Sequence, residues 1–233
     1  MNENISNYMK YANLQMAAEA LFGEKNNGST SITSGGGREI KAADLTDGNN
    51  HASKFPSPLA SSFLAERWEI LAHQPDTSTG FSATLFKNGK TGELVISFRS
   101  TEFVDDAVRD NQATNKMEIK EHGWALGQIA DMEAWWEKLQ ANGVLTRDAK
   151  VTVTGYSLGG HLATAFSLLH GTERVNAVYT FNGAGVGDVH SNTSLNAVIS
   201  EFQRRRTNTD GEQIPRAIAP SCHEPEQFST KRV

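Results

Sequence analysis

The chain of 233 residues is predicted to adopt an α/β fold with a mixed, mostly parallel central sheet flanked by helices. Three observations carry this. First, Val151-Thr152-Val153-Thr154 reads as a buried strand, Gly155-Tyr156-Ser157-Leu158-Gly159 as a sharp turn, and residues 160–169 as a helix. Second, residues 81–87 and 93–98 read as strands joined at Asn88-Gly89, a hairpin signature. Third, residues 175–181 form a further buried strand. Antiparallel strands thus lead and strand–helix–strand units follow, an order that yields a mixed sheet wrapped by helices.

The remaining elements follow in chain order. Tyr8, Tyr11, Leu14, Ala18 and Leu21 recur at helical spacing across residues 8–22, with Gly23 as a stop. Residues 26–57 are rich in Gly, Ser, Asn and Asp and read as a long polar surface loop, about 24–58. Residues 67–73 read as a strand. Residues 124–140 place Gln128, Ile129, Met132, Trp135, Trp136 and Leu139 along one broad side of a helix that ends at Asn142-Gly143. Its tryptophans read as core. No internal repeat is present, and one α/β domain over residues 1–233, with a sizeable core, is the natural expectation.

Composition narrows the function classes. A formal net charge of -5 argues against a nucleic-acid partner. Arg204-Arg205-Arg206 reads as a solvated helix face. Cys222 is alone, so no intrachain disulfide forms and the redox compartment is not indicated. No run reaches transmembrane length. Met1-Asn2-Glu3-Asn4 lacks the basic and apolar regions of a secretory signal. The expected locations are the cytoplasm, a leaderless export route, or a piece of a larger secreted protein. No His or Cys spacing suits zinc or haem, and Gly35-Gly36-Gly37 follows no strand, so no metal or cofactor is expected.

Gly-Tyr-Ser-Leu-Gly between a strand and a helix lifts a serine hydroxyl toward a substrate. The glycines allow a strained turn and close packing of helix on strand. A serine hydroxyl at neutral pH needs a base, an acid that orients the base, and donors for the developing oxyanion. The N–H of Leu158, at the helix N-terminus, is one donor. The second is expected in the loop after an earlier strand, at Ser100-Thr101.

Leu94-Val95-Ile96-Ser97-Phe98-Arg99-Ser100-Thr101 followed by Asp105 resembles the oxyanion strand of the class 3 lipase family. His122-Gly123-Trp124 resembles the family's His-x-Gly-Phe segment. Residues 151–163 resemble its nucleophile region, and Val178-Tyr179-Thr180-Phe181 with Gly185-Val186-Gly187-Asp188 is similar to the strand and loop that follow. These motifs run in the family's order from about Leu94 to Asp188. Tyr156 stands where the family often has His, and Ser100 where Gly is usual.

The resemblance implies an α/β-hydrolase type fold, a Ser157 nucleophile, Leu158 and Thr101 in the oxyanion hole, and a Ser–Asp–His triad in that chain order. Asp188, Asp210 and Glu212 are the candidate acids after the serine. Asp188 matches a non-catalytic loop position and ranks second. Asp210 lies in a segment resembling the family's acid loop, although Thr-Asn-Thr-Asp-Gly is also a turn signature. For the base, either His223 serves or the base lies beyond Val233. His161 reads as a packing or hydrogen-bonding residue. His170 sits in a helix's last turn, where a cation suits the dipole. His51, His73 and His122 precede the serine, against the expected order. In the family the region corresponding to residues 102–121 carries the lid, for which Phe103, Val104, Val108, Met117 and Ile119 would form the apolar face; the alternative is a surface helix or loop packed on the core. The implied activity is hydrolysis of acyl esters of lipids, as a lipase or esterase. A phospholipase A1, an acyltransferase with the same nucleophile, and a lipid-binding module lacking its base remain alternatives. The partner is a lipid or small acyl ester, with lipid-interface contact through the lid; oligomeric state is left open.

Overall fold

The computed structural model describes residues 3–20, 22, 37–49, 53–100, 118–120, 123–185 and 231–232. One sheet of seven strands runs in chain order: β1 (Arg38–Glu39), β2 (Trp68–Gln74), β3 (Ala83–Asn88), β4 (Leu94–Phe98), β5 (Val151–Tyr156), β6 (Val175–Phe181) and β7 (Lys231–Arg232). β1 to β4 pair antiparallel, and β4 to β7 pair parallel. Only β1 and β3 run against the others, so the sheet is the mixed, mostly parallel one expected.

Among the described residues, the helices longer than one turn are α1 (Glu3–Ala18), α2 (Ala42–Asp47), α3 (Ser57–Ala65), α4 (Leu126–Ala141) and α5 (Leu158–Arg174). Parallel neighbours need a crossover; α4 supplies the one from β4 to β5, and α5 the one from β5 to β6.

Strand alternation builds a core on each face of the sheet. Leu85, Ile96, Val151 and Val153 join α4 and α5, whereas Phe86 and Val95 join α1, α2 and α3. Phe98 is fully buried between Phe81 and Phe166, with ring centroids at 6.3 and 5.8 Å. Burial of one such side chain contributes about 1.5–3 kcal/mol.

Strand β2 departs from simple alternation. Ile70 pairs with Phe86 and Ala72 with Leu85, so Leu71 is an extra residue. This bulge sends Trp68 and Ile70 to the α1 side and Ala72 to the other. One strand thereby serves both cores.

The polar loop expected over about 24–58 is corrected where it is described. It holds β1, α2 and the start of α3, and Ile40, Leu45 and Phe55 are buried. Local capping rather than periodicity makes the six-residue α2: the Lys41 N–H donates to the Asp44 carboxylate at 2.9 Å. The first helix also differs from expectation. It begins by Glu3 and stops at Ala18, where the N–H groups of Glu19 and Ala20 bond back to Met16 and Ala17 in a tightened turn.

Tyr11 fastens α1 across the sheet. Its hydroxyl donates to Glu93 at 2.6 Å, and its ring stacks on Tyr179 at 4.0 Å. Lys10 reaches the same carboxylate at 2.9 Å. Burial, reinforced by Glu93, raises the Tyr11 phenol far above its usual range.

The sequence expectation for His170 is a cation suiting the helix dipole; its contact is more specific. Its Nε2 lies 2.8 Å from the Glu133 carboxylate of α4; Glu133 is buried and His170 partly so. The helix breaks immediately after it, at Gly171, with φ 59° and ψ -169°.

Candidate functional site

β4, β5 and β6 run parallel, so their carboxyl ends emerge at one edge of the sheet. Such an edge is the usual ligand crevice of an α/β fold. Ser157 sits there, between the end of β5 and the start of α5.

Its backbone is left-handed, with φ 52° and ψ -118°. Those angles are near the first central position of a type II′ turn, which glycine favours. Four backbone hydrogen bonds hold a serine there instead. The Ser157 N–H donates to Phe181 at 3.0 Å, and its carbonyl accepts from Gly160, His161 and Ala184 at 3.1, 3.2 and 2.8 Å. A serine at a helix N-cap ordinarily turns its oxygen onto the helix amides. The Ser157 hydroxyl makes no such capping bond. Leu158 opens α5, where the first amides lack intrahelical acceptors.

Glycines set how tightly this corner closes. A Cβ on Gly155 would strike the carbonyl of Gly159, and one on Gly159 would strike the carbonyl of Phe98. A Cβ on Gly160 would meet the Cα of Gly183 at 2.8 Å. Helix α5 therefore packs directly on the backbones of β4, β5 and the loop after β6. Tyr156, the last residue of β5, is 42% exposed and borders the serine on the open side.

Next to the serine, β4 ends in register with β5, Phe98 opposite Gly155. Two carboxylates fasten the residues that follow. The buried Arg99 guanidinium bonds Asp76 at 2.8 Å, and the Ser100 N–H donates to Glu19 at 3.1 Å. Gln15 donates to the same Glu19 oxygen at 2.8 Å. Sequence reasoning missed Glu19 and Asp76, because Glu19 and Ser100 are 81 residues apart and no spacing rule joins them.

His161 lies one turn into α5, wholly buried. Its Nε2 accepts from the Ala125 N–H at 3.2 Å, and its Nδ1 faces the Gly185 carbonyl at 3.1 Å. Trp124 packs against the ring at 5.1 Å between centroids. Burial lowers its pKa to about 4, against the opposing pull of the Gly185 and Ala184 carbonyls. The ring is therefore neutral in the fold, whereas the unfolded chain binds a proton below about 6.5. The stability this contributes is complete above pH 6.5 and is lost as pH falls toward about 4, by about 3 kcal/mol. Chemical denaturation between pH 7 and 4 checks this: His161→Gln should flatten the acid slope, and an unchanged slope would contradict the assignment.

Of the expected site residues, Ser157 and Leu158 stand at this edge. Thr101, Asp188, Asp210, Glu212 and His223 lie outside the described residues, as do His51, His122, Arg204-Arg205-Arg206 and Cys222. Most of segment 102–121, where a lid is expected, does too. Its described part, 118–120, is helical, and Glu118 accepts the Gly127 N–H of α4 at 3.1 Å. Among the described residues no His, Cys, Asp or Glu group suits a metal ion, and no helix is long and apolar enough to cross a membrane.

Comparison with solved structures finds fungal lipases of low identity. A fungal lipase–inhibitor complex aligns at TM-score 0.48 and 13% identity, over 86% of this chain and 68% of that one. The lipase of Rhizopus microsporus var. chinensis aligns at 0.42 and 14%, over 78% and 58%. Lip2 lipase of Yarrowia lipolytica aligns at 0.44 and 14%, over 78% and 59%. The chain thus spans 58% to 68% of their lengths. No curated protein sequence matches it. Residues 41–211, well over half of the chain, match the Tle-like phospholipase domain, and the chain belongs to that phospholipase-like family.

Proposed function

We propose that this chain hydrolyses carboxylic esters of lipids, with phospholipids as the first substrate class to test. The observation that carries the reading is Ser157, held left-handed at the carboxyl edge of the sheet with a hydroxyl not used in capping. Strain kept at one polar residue by surrounding bonds is a mark of a functional site. Family membership over residues 41–211 supports the substrate class.

In this mechanism the Ser157 oxygen attacks the acyl carbonyl while a histidine takes the hydroxyl proton. An aspartate orients that histidine. The carbonyl oxygen gains negative charge, which the Leu158 N–H and Thr101 stabilise. The alcohol leaves with the proton. Water then attacks the acyl-enzyme by the same route, releasing the fatty acid and restoring the serine. Asp210 and His223 are the proposed acid and base. Asp188 is the alternative acid, and a histidine beyond Val233 the alternative base. His161 is not a candidate, since both its nitrogens are already engaged. Residues 102–121 are the proposed lid at the lipid surface.

An alkyl fluorophosphonate tests the nucleophile directly. We expect one covalent adduct, found by peptide mass spectrometry on Ser157, and fatty acid release from phosphatidylcholine by the unlabelled protein. A folded chain that takes no adduct, or takes it at another residue, contradicts the reading.

A further inference from the structure

Ser157 keeps an unfavourable backbone conformation only because its neighbours over-determine it. Two of its four backbone partners, Phe181 and Ala184, belong to the segment that leaves β6. Beyond Phe181 that segment has left the strand, and Asn182 is itself left-handed with φ 45°. Its position therefore depends on what holds its far end. His161 does so, through Nδ1 and the Gly185 carbonyl at 3.1 Å.

We propose that His161 is a positioning residue for Ser157, a buried strut that fixes the 181–185 loop against the start of α4 and so keeps the serine in its reactive conformation. The proposal rests on the reading of Ser157 as nucleophile. The ring ties three segments: the first turn of α5 that carries it, the loop after β6, and Ala125 ahead of α4. Its polarity follows from its partners. An amide N–H can only donate, so Nε2 is the acceptor. A carbonyl can only accept, so Nδ1 carries the hydrogen. With both nitrogens committed, the ring has no proton to move, and it acts through geometry alone. Serine, alanine or leucine at this position would pack, but none of them reaches both partners. The Trp124 ring lies against the imidazole and helps to keep its plane.

The test compares His161→Ala, His161→Asn and His161→Gln in the full chain. The asparagine amide nitrogen comes near the place of Nδ1 and can donate to Gly185. The glutamine oxygen comes near the place of Nε2 and can accept from Ala125. We expect His161→Ala to slow fluorophosphonate acylation of Ser157 and kcat by about 100-fold, the scale of an ångström misplacement, with KM nearly unchanged. His161→Asn should recover most of that loss and His161→Gln little of it, at similar melting temperatures. Equal losses in all three, tracking the melting temperature, would reduce His161 to packing and overturn the proposal. So would a wild-type rate in His161→Ala. Should the alanine variant not fold, the asparagine and glutamine pair decides alone: asparagine above glutamine supports the strut, and equality overturns it. Nitrogen-15 NMR of the wild-type imidazole separates this from the nucleophile reading. The strut requires an Nδ1–H tautomer at neutral pH whether or not Ser157 is acylated, and an Nε2–H ring overturns it. Absence of acylation in the wild type overturns the nucleophile instead.

Discussion

Ser157→Ala is expected to lower kcat/KM for ester substrates by about 10⁴- to 10⁶-fold, the scale seen when a triad nucleophile is removed. The fold should be unaffected. Alanine has the same Cβ, so it meets the same left-handed strain at φ 52°, and the hydroxyl it loses makes no capping bond to α5. Initial rates on a short-chain chromogenic ester and on phospholipid vesicles, beside a melting curve, check both halves. Near wild-type turnover would remove Ser157 from the mechanism. Ser157→Gly should be as inactive but more stable. Glycine takes this conformation without steric cost, and relief of strain should exceed its added unfolded-state entropy by about 1 kcal/mol. A gain in melting temperature joined to complete loss of activity would show stability traded for function at one residue.

Gly159→Ala should be among the most disruptive single methyls at the site, beside Gly155→Ala. The position is helical, so conformation is no obstacle; space is. The added Cβ would strike the Phe98 carbonyl and lie 3.1 Å from that of Arg99. Both are backbone atoms, so no side chain can turn aside. Either α5 lifts or the end of β4 shifts, and overpacking of this kind costs about 1–3 kcal/mol or more. The end of β4 leads into the segment proposed to supply the second oxyanion donor, so activity should fall further than stability does. Gly185→Ala is the matched control, because among the described residues a Cβ there meets nothing within 4 Å. A difference in unfolding free energy between the two variants measures the contact. Equal values would mean that the corner is looser than it stands.

The serine turn was legible because its signal is local. β-branched alternation, closely spaced glycines and a helical run fall within some 20 consecutive residues. The hairpin at Asn88-Gly89 and the apolar side of α4, including the buried Gln128, were legible for the same reason. The segment about 24–58 was not. Its composition is that of a loop, and the burial of Ile40, Leu45 and Phe55 depends on a surface made by α1, α3 and β2. Nor does alternation along β2 foretell that Ile70 and Ala72 part to opposite cores, since the bulge at Leu71 exists only in its pairing with β3. His170 looked like a residue serving its own helix. The Glu133 carboxylate 2.8 Å away belongs to another.

By itself, then, the sequence determined the strand–serine–helix unit, the order of antiparallel and parallel strands, and the residue whose hydroxyl is presented, because periodicity and turn chemistry act between near neighbours. The tertiary structure decided what holds that serine in place: Phe181 and Ala184 on its backbone, His161 bridging to Ala125 and Gly185, and Glu19 on the Ser100 amide. Each of these is a hydrogen bond between segments distant in the chain. Such a bond depends on donor and acceptor meeting within about 3 Å, a condition that folding satisfies and no spacing along the sequence encodes.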